Sequence, residues 1–377
     1  MMRLFRSAQR SPHAWLRLPL ALLGLAAGVA LSSACSSYFG SGPDPARDGR
    51  VDAGAAGAAG VEPILLVANV SVNAIALDAN NVYFTSGQGL ARVAKSGGSA
   101  VPLGGFSQLN GLAVDSTAIY AVNSSGSLFS VHKDGSGAKS LASSMCSGGS
   151  GAVLLDAADL FFTTGPYLRT TPIAGAALAD LTADVWQGGG PNMATRLAVD
   201  TRNVYYVGNP SIGGQGAVYG VSRASATASS CMGLTSRGTR VATAQGSIAG
   251  LTGDGSRLYF TDLTSNGLSP VLLVSAVLTP ALAASSVTVL AKLEASGSNA
   301  PNLAGAVASD GTYLYFAGFS GIYRVLLRGP GCQTDAGPCT EPELVIGAAQ
   351  ANALAVDDGF VYYAEQNGPS GLKKIAK

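Results

Sequence analysis

The hydrophobic and polar positions repeat one phrase along most of the chain. A short apolar run ends in an aspartate, three turn residues follow, and an aliphatic–aromatic–aromatic run comes next. The aspartates are Asp78, Asp115, Asp156, Asp200, Asp254, Asp310 and Asp357. The aromatic runs follow at 82–85, 119–122, 160–163, 204–207, 258–261, 314–317 and 361–364. Successive aspartates are 37, 41, 44, 54, 56 and 47 residues apart, the length of one four-stranded propeller blade with variable loops.

Each unit reads as four strands. The first, as at 73–77, is small and apolar, as a crowded inner ring requires. The second, as at 82–85, is continuously apolar because both its faces pack on neighbours. The third, as at 89–95, alternates, and the fourth, as at 100–103, is an outer strand. The aspartate opens the turn between the first two strands, where its carboxylate accepts N–H groups two residues on. The last unit stops after a third strand at 372–376, and an orphan strand at 63–68 precedes the first unit. Pairing the two closes the ring and removes its open edge. The expectation is therefore an all-β, seven-bladed β-propeller over residues 62–377, with six blades as the alternative.

The fifth copy, Asp254, three turn residues, then Leu258, Tyr259, Phe260, Thr261 and Asp262, resembles the YWTD and NHL types of propeller repeat, and bacterial lipoproteins built from degenerate copies of them. The resemblance covers nearly all of 62–377. Only this copy keeps the final aspartate, and none has Trp in the second aromatic place. The resemblance implies the fold and leaves function open, since such propellers host binding, scaffolding and enzymes alike.

What precedes the repeats sets an address. Arg3, Arg6, Arg10 and Arg17 form a basic leader, and an apolar stretch over 18–31 follows, too short for a membrane span. Leu31, Ser32, Ser33 and Ala34 then lead to Cys35, like a bacterial lipobox with Leu displaced by one. Residues 1–34 are expected to be a lipoprotein signal peptide, with Cys35 the lipidated residue. Residues 35–61 are rich in Gly, Ala, Ser, Asp and Pro, cannot bury enough surface to order, and read as a flexible tether. The expected location is the bacterial cell envelope, with membrane contact only through the lipid.

Composition narrows the chemistry. The 377 residues are 47% hydrophobic and only 12% charged. Without the leader arginines, 19 basic groups face 22 acidic ones, a net charge near −3. Such a body, without a basic stripe, argues against nucleic acid. One histidine, His132, lies beyond the leader, at the end of an outer strand, where a solvated role is expected rather than a triad. No His and Cys cluster suits zinc, the aspartates lie one per turn, and no calcium loop motif occurs. No catalytic residue, metal or cofactor is assigned. Cys332 and Cys339, separated by six residues in a Gly-, Asp- and Pro-rich loop, are expected to form a disulfide, whereas Cys146 and Cys231 are not expected to pair.

Two features suit a binding site. Asn73, Asn110 and Asn352 each stand five residues before a repeat aspartate, in units that become consecutive when the ring closes. They are expected either as a polar arc at the channel mouth or as caps of their own turns. Trp186, in a Gly-rich loop placed on the same face, is a candidate partner anchor. The reading is a monomeric binding or scaffolding propeller for an unknown protein or small polar ligand. The alternative is a propeller enzyme of the lactonase or lyase kind with a channel-bound divalent metal.

Overall fold

A computed structural model describes residues 62–143, 151–175, 178–182, 185, 196–208, 216–228, 238–263, 271–279, 281–285, 287–293, 306–318, 321–327, 342–347, 349–365 and 370–377. They form seven antiparallel sheets arranged as a β-propeller. Blade 1 is typical: its strands, from the axis outward, are Val72–Leu77, Asn81–Ser86, Gly89–Ala94 and Val101–Pro102. Blades 2 to 6 begin with inner strands Leu109–Val114, Val153–Asp156, Leu197–Val199, Ser247–Gly253 and Val307–Ser309. Blade 7 is built from Ala351–Val356, Phe360–Glu365 and Gly371–Ala376, and its fourth strand is Ile64–Ala68 from the other end of the domain. Leu65 lies opposite Lys373 and Val67 opposite Leu372 in that pairing, so the seam is an antiparallel ladder.

The second strand explains why blades stack. Val82, Tyr83 and Phe84 are all buried. Val82 and Phe84 pack toward blade 7, among Leu66, Tyr362 and Leu372. Tyr83 packs toward blade 2, among Leu109, Ile119 and Val131. Alternate side chains on one strand thus fill two interfaces, which is why the sequence runs apolar without a polar alternation. Apolar clusters of this kind occupy each of the seven junctions. Burying an aromatic of this size is worth roughly 2–3 kcal/mol.

The sequence did not suggest one addition. Thr227–Ala228, from the excursion after blade 4's third strand, pairs with Ala179–Thr182 and gives blade 3 a fifth strand. The step from Asp200 to Asp254 is long partly for this reason. Next to it lies a buried ion pair: Arg169, on the third strand Tyr167–Pro172, has its Nε 3.0 Å from Asp180 Oδ1, both fully buried. Among the described residues no helix is long and apolar enough to cross a membrane.

Candidate functional site

A propeller has two faces. On one, first strands turn into second strands and third strands into fourth. The repeat aspartates lie on this face. Asp78 Oδ1 accepts the N–H groups of Asn80 and Asn81, at 2.9 and 2.7 Å, the turn role expected of it. Asp115, Asp200, Asp254, Asp310 and Asp357 accept the equivalent pairs.

The second carboxylate oxygen does something the sequence reading missed. It accepts the hydroxyl of the tyrosine five residues on, as in Tyr83 to Asp78 at 2.8 Å and Tyr362 to Asp357 at 2.9 Å. Tyr120, Tyr205, Tyr259 and Tyr315 repeat the bond. In four junctions a cation from the following blade joins it. Lys133 reaches Asp78 at 3.0 Å, Lys95 reaches Asp357 at 2.7 Å, Lys377 reaches Asp310 at 2.5 Å, and Arg223 pairs with Asp156. Each cation is the first residue after its blade's third strand, and each lies over the aromatic ring of its clasp, 5.0 to 5.9 Å from the centroid. Blade 3 has Phe161 instead of tyrosine, and there the Arg223 guanidinium supplies the donor. At the other three junctions the same position holds Ile173, Leu278 or Leu327, which pack in the clusters of Tyr120, Tyr205 and Tyr259.

The electrostatics follow from this geometry. Burial opposes ionisation of Asp310 and Asp357. The lysine bond, the two N–H groups and the tyrosine outweigh it and hold both carboxyls down to about 2. Asp78 lies lower still for the same reasons. Burial, then the adjacent carboxylate, pushes Tyr83 up to about 12. These groups stay charged, or neutral, at any physiological pH, so they brace the frame and are poor proton carriers. An open cleft of about 790 Å³ lies on this face between blades 7 and 1, lined by Asp78, Lys95, Asp357, Phe360 and Lys374. Its cations are committed: Lys95 to Asp357, and Lys374 to the Lys95 carbonyl with its ammonium 4.2 Å from the centre of the Phe360 ring.

The asparagines stand at the opposite face, where the inner strands begin. Asn73, Asn110 and Asn352 each occupy a register shift of their strand, between residues 72 and 74, 109 and 111, and 351 and 353. Asn73 Nδ2 donates to the Leu109 carbonyl of blade 2 at 2.9 Å, and Asn352 Nδ2 donates to the Val72 carbonyl of blade 1 at 2.7 Å. Neither caps its own turn, and Asn352 is only 2% exposed. Two of the three amides expected at the channel mouth therefore tie one blade to the next. A bulge turns a side chain out of the ladder, and a carboxamide placed there meets the neighbouring backbone. Elsewhere the second strand supplies the acceptor: Thr261 Oγ1 accepts from Gly250 N inside the bulge of blade 5, and Thr163 Oγ1 accepts from Ala152 N just before the inner strand of blade 3. Asp262, the one retained final aspartate, accepts the Gln245 and Gly246 N–H groups, and burial raises its pKa.

Exposed His132 has its Nδ1 3.2 Å from Ser136 Oγ, in a hairpin turn closed by Gly135 N to His132 O. Among the described residues no group of three or more His, Cys, Asp or Glu is placed to hold a metal. Cys35, Cys146, Cys231, Cys332, Cys339 and Trp186 lie outside the described residues.

No family model and no curated protein matches the chain. Solved structures share its fold. YCF48 from Cyanidioschyzon merolae is 12% identical with a TM-score of 0.52, over 84% of this chain and 98% of that one. YCF48 bound to D1 peptide is 10% identical with a TM-score of 0.50, over 84% and 95%. The extracellular domain of BT4673 from B. thetaiotaomicron is 12% identical with a TM-score of 0.50, over 83% of this chain but 39% of that one.

Proposed function

We propose that this chain is an extracytoplasmic, lipid-anchored propeller that acts as a binding or scaffolding module of the cell envelope, without chemistry of its own. The observation that carries the reading is the fate of its recurring ionisable groups. The repeat acids are held in turn and blade-to-blade clasps, which makes the ring a stiff frame for its loops. The basic, apolar and small-residue order ending at Cys35 supplies the address. The likeness to an extracellular domain and to a propeller bound to a peptide is in keeping with that address and role. In this reading the repeat is of the YWTD- and NHL-like sort found in bacterial lipoproteins, which the order of residues from Asp254 to Asp262 supports.

The test is fractionation of cells carrying the full chain or Cys35→Ala, with mass spectrometry of the mature N-terminus. The expected result is a lipid-modified Cys35 in the membrane fraction and release of the folded variant. A mature N-terminus at another, unmodified residue would contradict the anchor. Turnover of a lactone panel with added divalent ions would contradict the non-enzymatic role.

A further inference from the structure

Charge is divided unequally between the two faces. The repeat acids and their cations lie where first strands pass to second and third to fourth. At the opposite ends of the strands, the charged side chains among the described residues are Arg196, Asp262, Lys292, Glu365 and Lys373. Asp262 is buried on two N–H groups, Glu365 and Lys373 pair with each other, and Arg196 is buried. In blades 1 and 2 this face carries no charged side chain among the described residues.

What it presents there is carboxamide and hydroxyl. Asn69, Ser71, Gln88, Ser107 and Gln108 are exposed. The segments bearing Gln88, Gln108 and Ser124 touch one another. Ser124 N donates to the Gln108 carbonyl at 2.9 Å, and a Cβ on Gly89 would lie 2.6 Å from the Phe106 carbonyl. Gln108 is held at φ 55°, as is Asn69, a left-handed backbone that glutamine rarely adopts and that the surrounding bonds must enforce. Its Oε1 accepts from Ser124 Oγ at 2.7 Å, which fixes the carboxamide and leaves its N–H groups for a ligand. Phe106, in the same segment, packs on Phe129 with ring centres 5.3 Å apart and against the core between blades 1 and 2, which anchors the segment.

From this we infer that the face formed by blades 1 and 2 binds a neutral, polyhydroxylated ligand, a glycan. The inference rests on the binding role proposed above. Carboxamides offer donor and acceptor together, which matches neighbouring sugar hydroxyls. An anionic ligand would need arginine or lysine, which this sector lacks. A protein partner would need large exposed apolar or arginine anchors. Among the described residues, the exposed large apolar side chains are Ile64, Leu65, Val101, Val277, Val287 and Val289, all on third or outermost strands.

The experiment applies the full chain in detergent to immobilised neutral oligosaccharides (β-glucan, mannan and chitin fragments) and anionic ones (alginate, chondroitin sulfate). Retention on neutral members is expected, unchanged in high salt. Gln88→Ala with Gln108→Ala should weaken it by roughly tenfold or more, the loss expected for one or two hydrogen-bonding groups. Gln108→Glu, which keeps the side chain's size, should weaken it likewise, and Lys95→Met on the far face should not. Binding to anionic members alone, no retention on any neutral member, or full retention by the glutamine variants would overturn the inference. An empty panel from a chain that is lipidated at Cys35 would leave the envelope role standing. A cytoplasmic, unprocessed chain would remove that role first.

Discussion

Replacing Asp357 by Asn keeps the shape of the side chain and removes its charge at the seam between blades 7 and 1. The carboxylate accepts from Lys95 at 2.7 Å, Tyr362 at 2.9 Å, Gly359 N at 3.0 Å and Phe360 N at 2.9 Å. Those bonds outweigh the burial that opposes its ionisation and lower its pKa from 3.8 to about 2. At about 1.4 kcal/mol per pH unit, that depression corresponds to somewhat over 2 kcal/mol. The side chain is 25% exposed, so solvent screening reduces this to about 1–2 kcal/mol. A depressed carboxyl pKa contributes stability that is complete above the unfolded value near 3.8 and is lost as pH falls through about 2. Thermal melts of wild type and Asp357→Asn at pH 7 should therefore differ by a few degrees. The gap should close as the buffer is taken from pH 4 toward pH 2. A gap of the same size at both ends would show that turn geometry, and not charge, is responsible. No gap at pH 7 would refute the clasp as a stabilising device.

Arg169→Leu leaves the Asp180 carboxylate fully buried without its cation, and urea unfolding should show a loss of about 3–5 kcal/mol; adding Asp180→Leu should recover much of it. Gly371→Ala places a Cβ about 2.6 Å from the Val67 carbonyl at the closing ladder, so the melt should fall by the equivalent of about 1–3 kcal/mol and light scattering should report association through the loosened edge.

The sequence carried the frame because each blade repeats the same physical problem. The aspartate, its turn and the aromatic strand recur since the blades share two-sided packing and six of the seven use an Asx turn; in blade 3 Asp156 stays in the ladder opposite Asp159 and Ala157 takes φ 52° instead. The orphan strand at one end and the missing strand at the other pointed to a ladder between Ile64–Ala68 and Gly371–Ala376. The clasps were also written in the chain, as tyrosine five residues after the aspartate and a cation after the third strand. They went unread because the partners belong to different blades: Lys95 and Asp357 are 262 residues apart. The asparagines were recognised as a set, but their bulges, and so their aim at the next blade, depend on register, which periodicity does not reveal. The strand from Thr227–Ala228 was hidden for a related reason, since it is too short to show a period.

The central claim is a division of labour: acids and cations on one face hold the ring, and uncharged amides on the other bind. Melting and oligosaccharide retention, measured together on Asp357→Asn and on Gln88→Ala with Gln108→Ala, test it directly. The account predicts that the first variant melts lower yet binds as wild type well below its melting temperature, and that the second melts within a few degrees of wild type yet loses retention. Loss of both properties in each variant, or the reverse assignment, would contradict it.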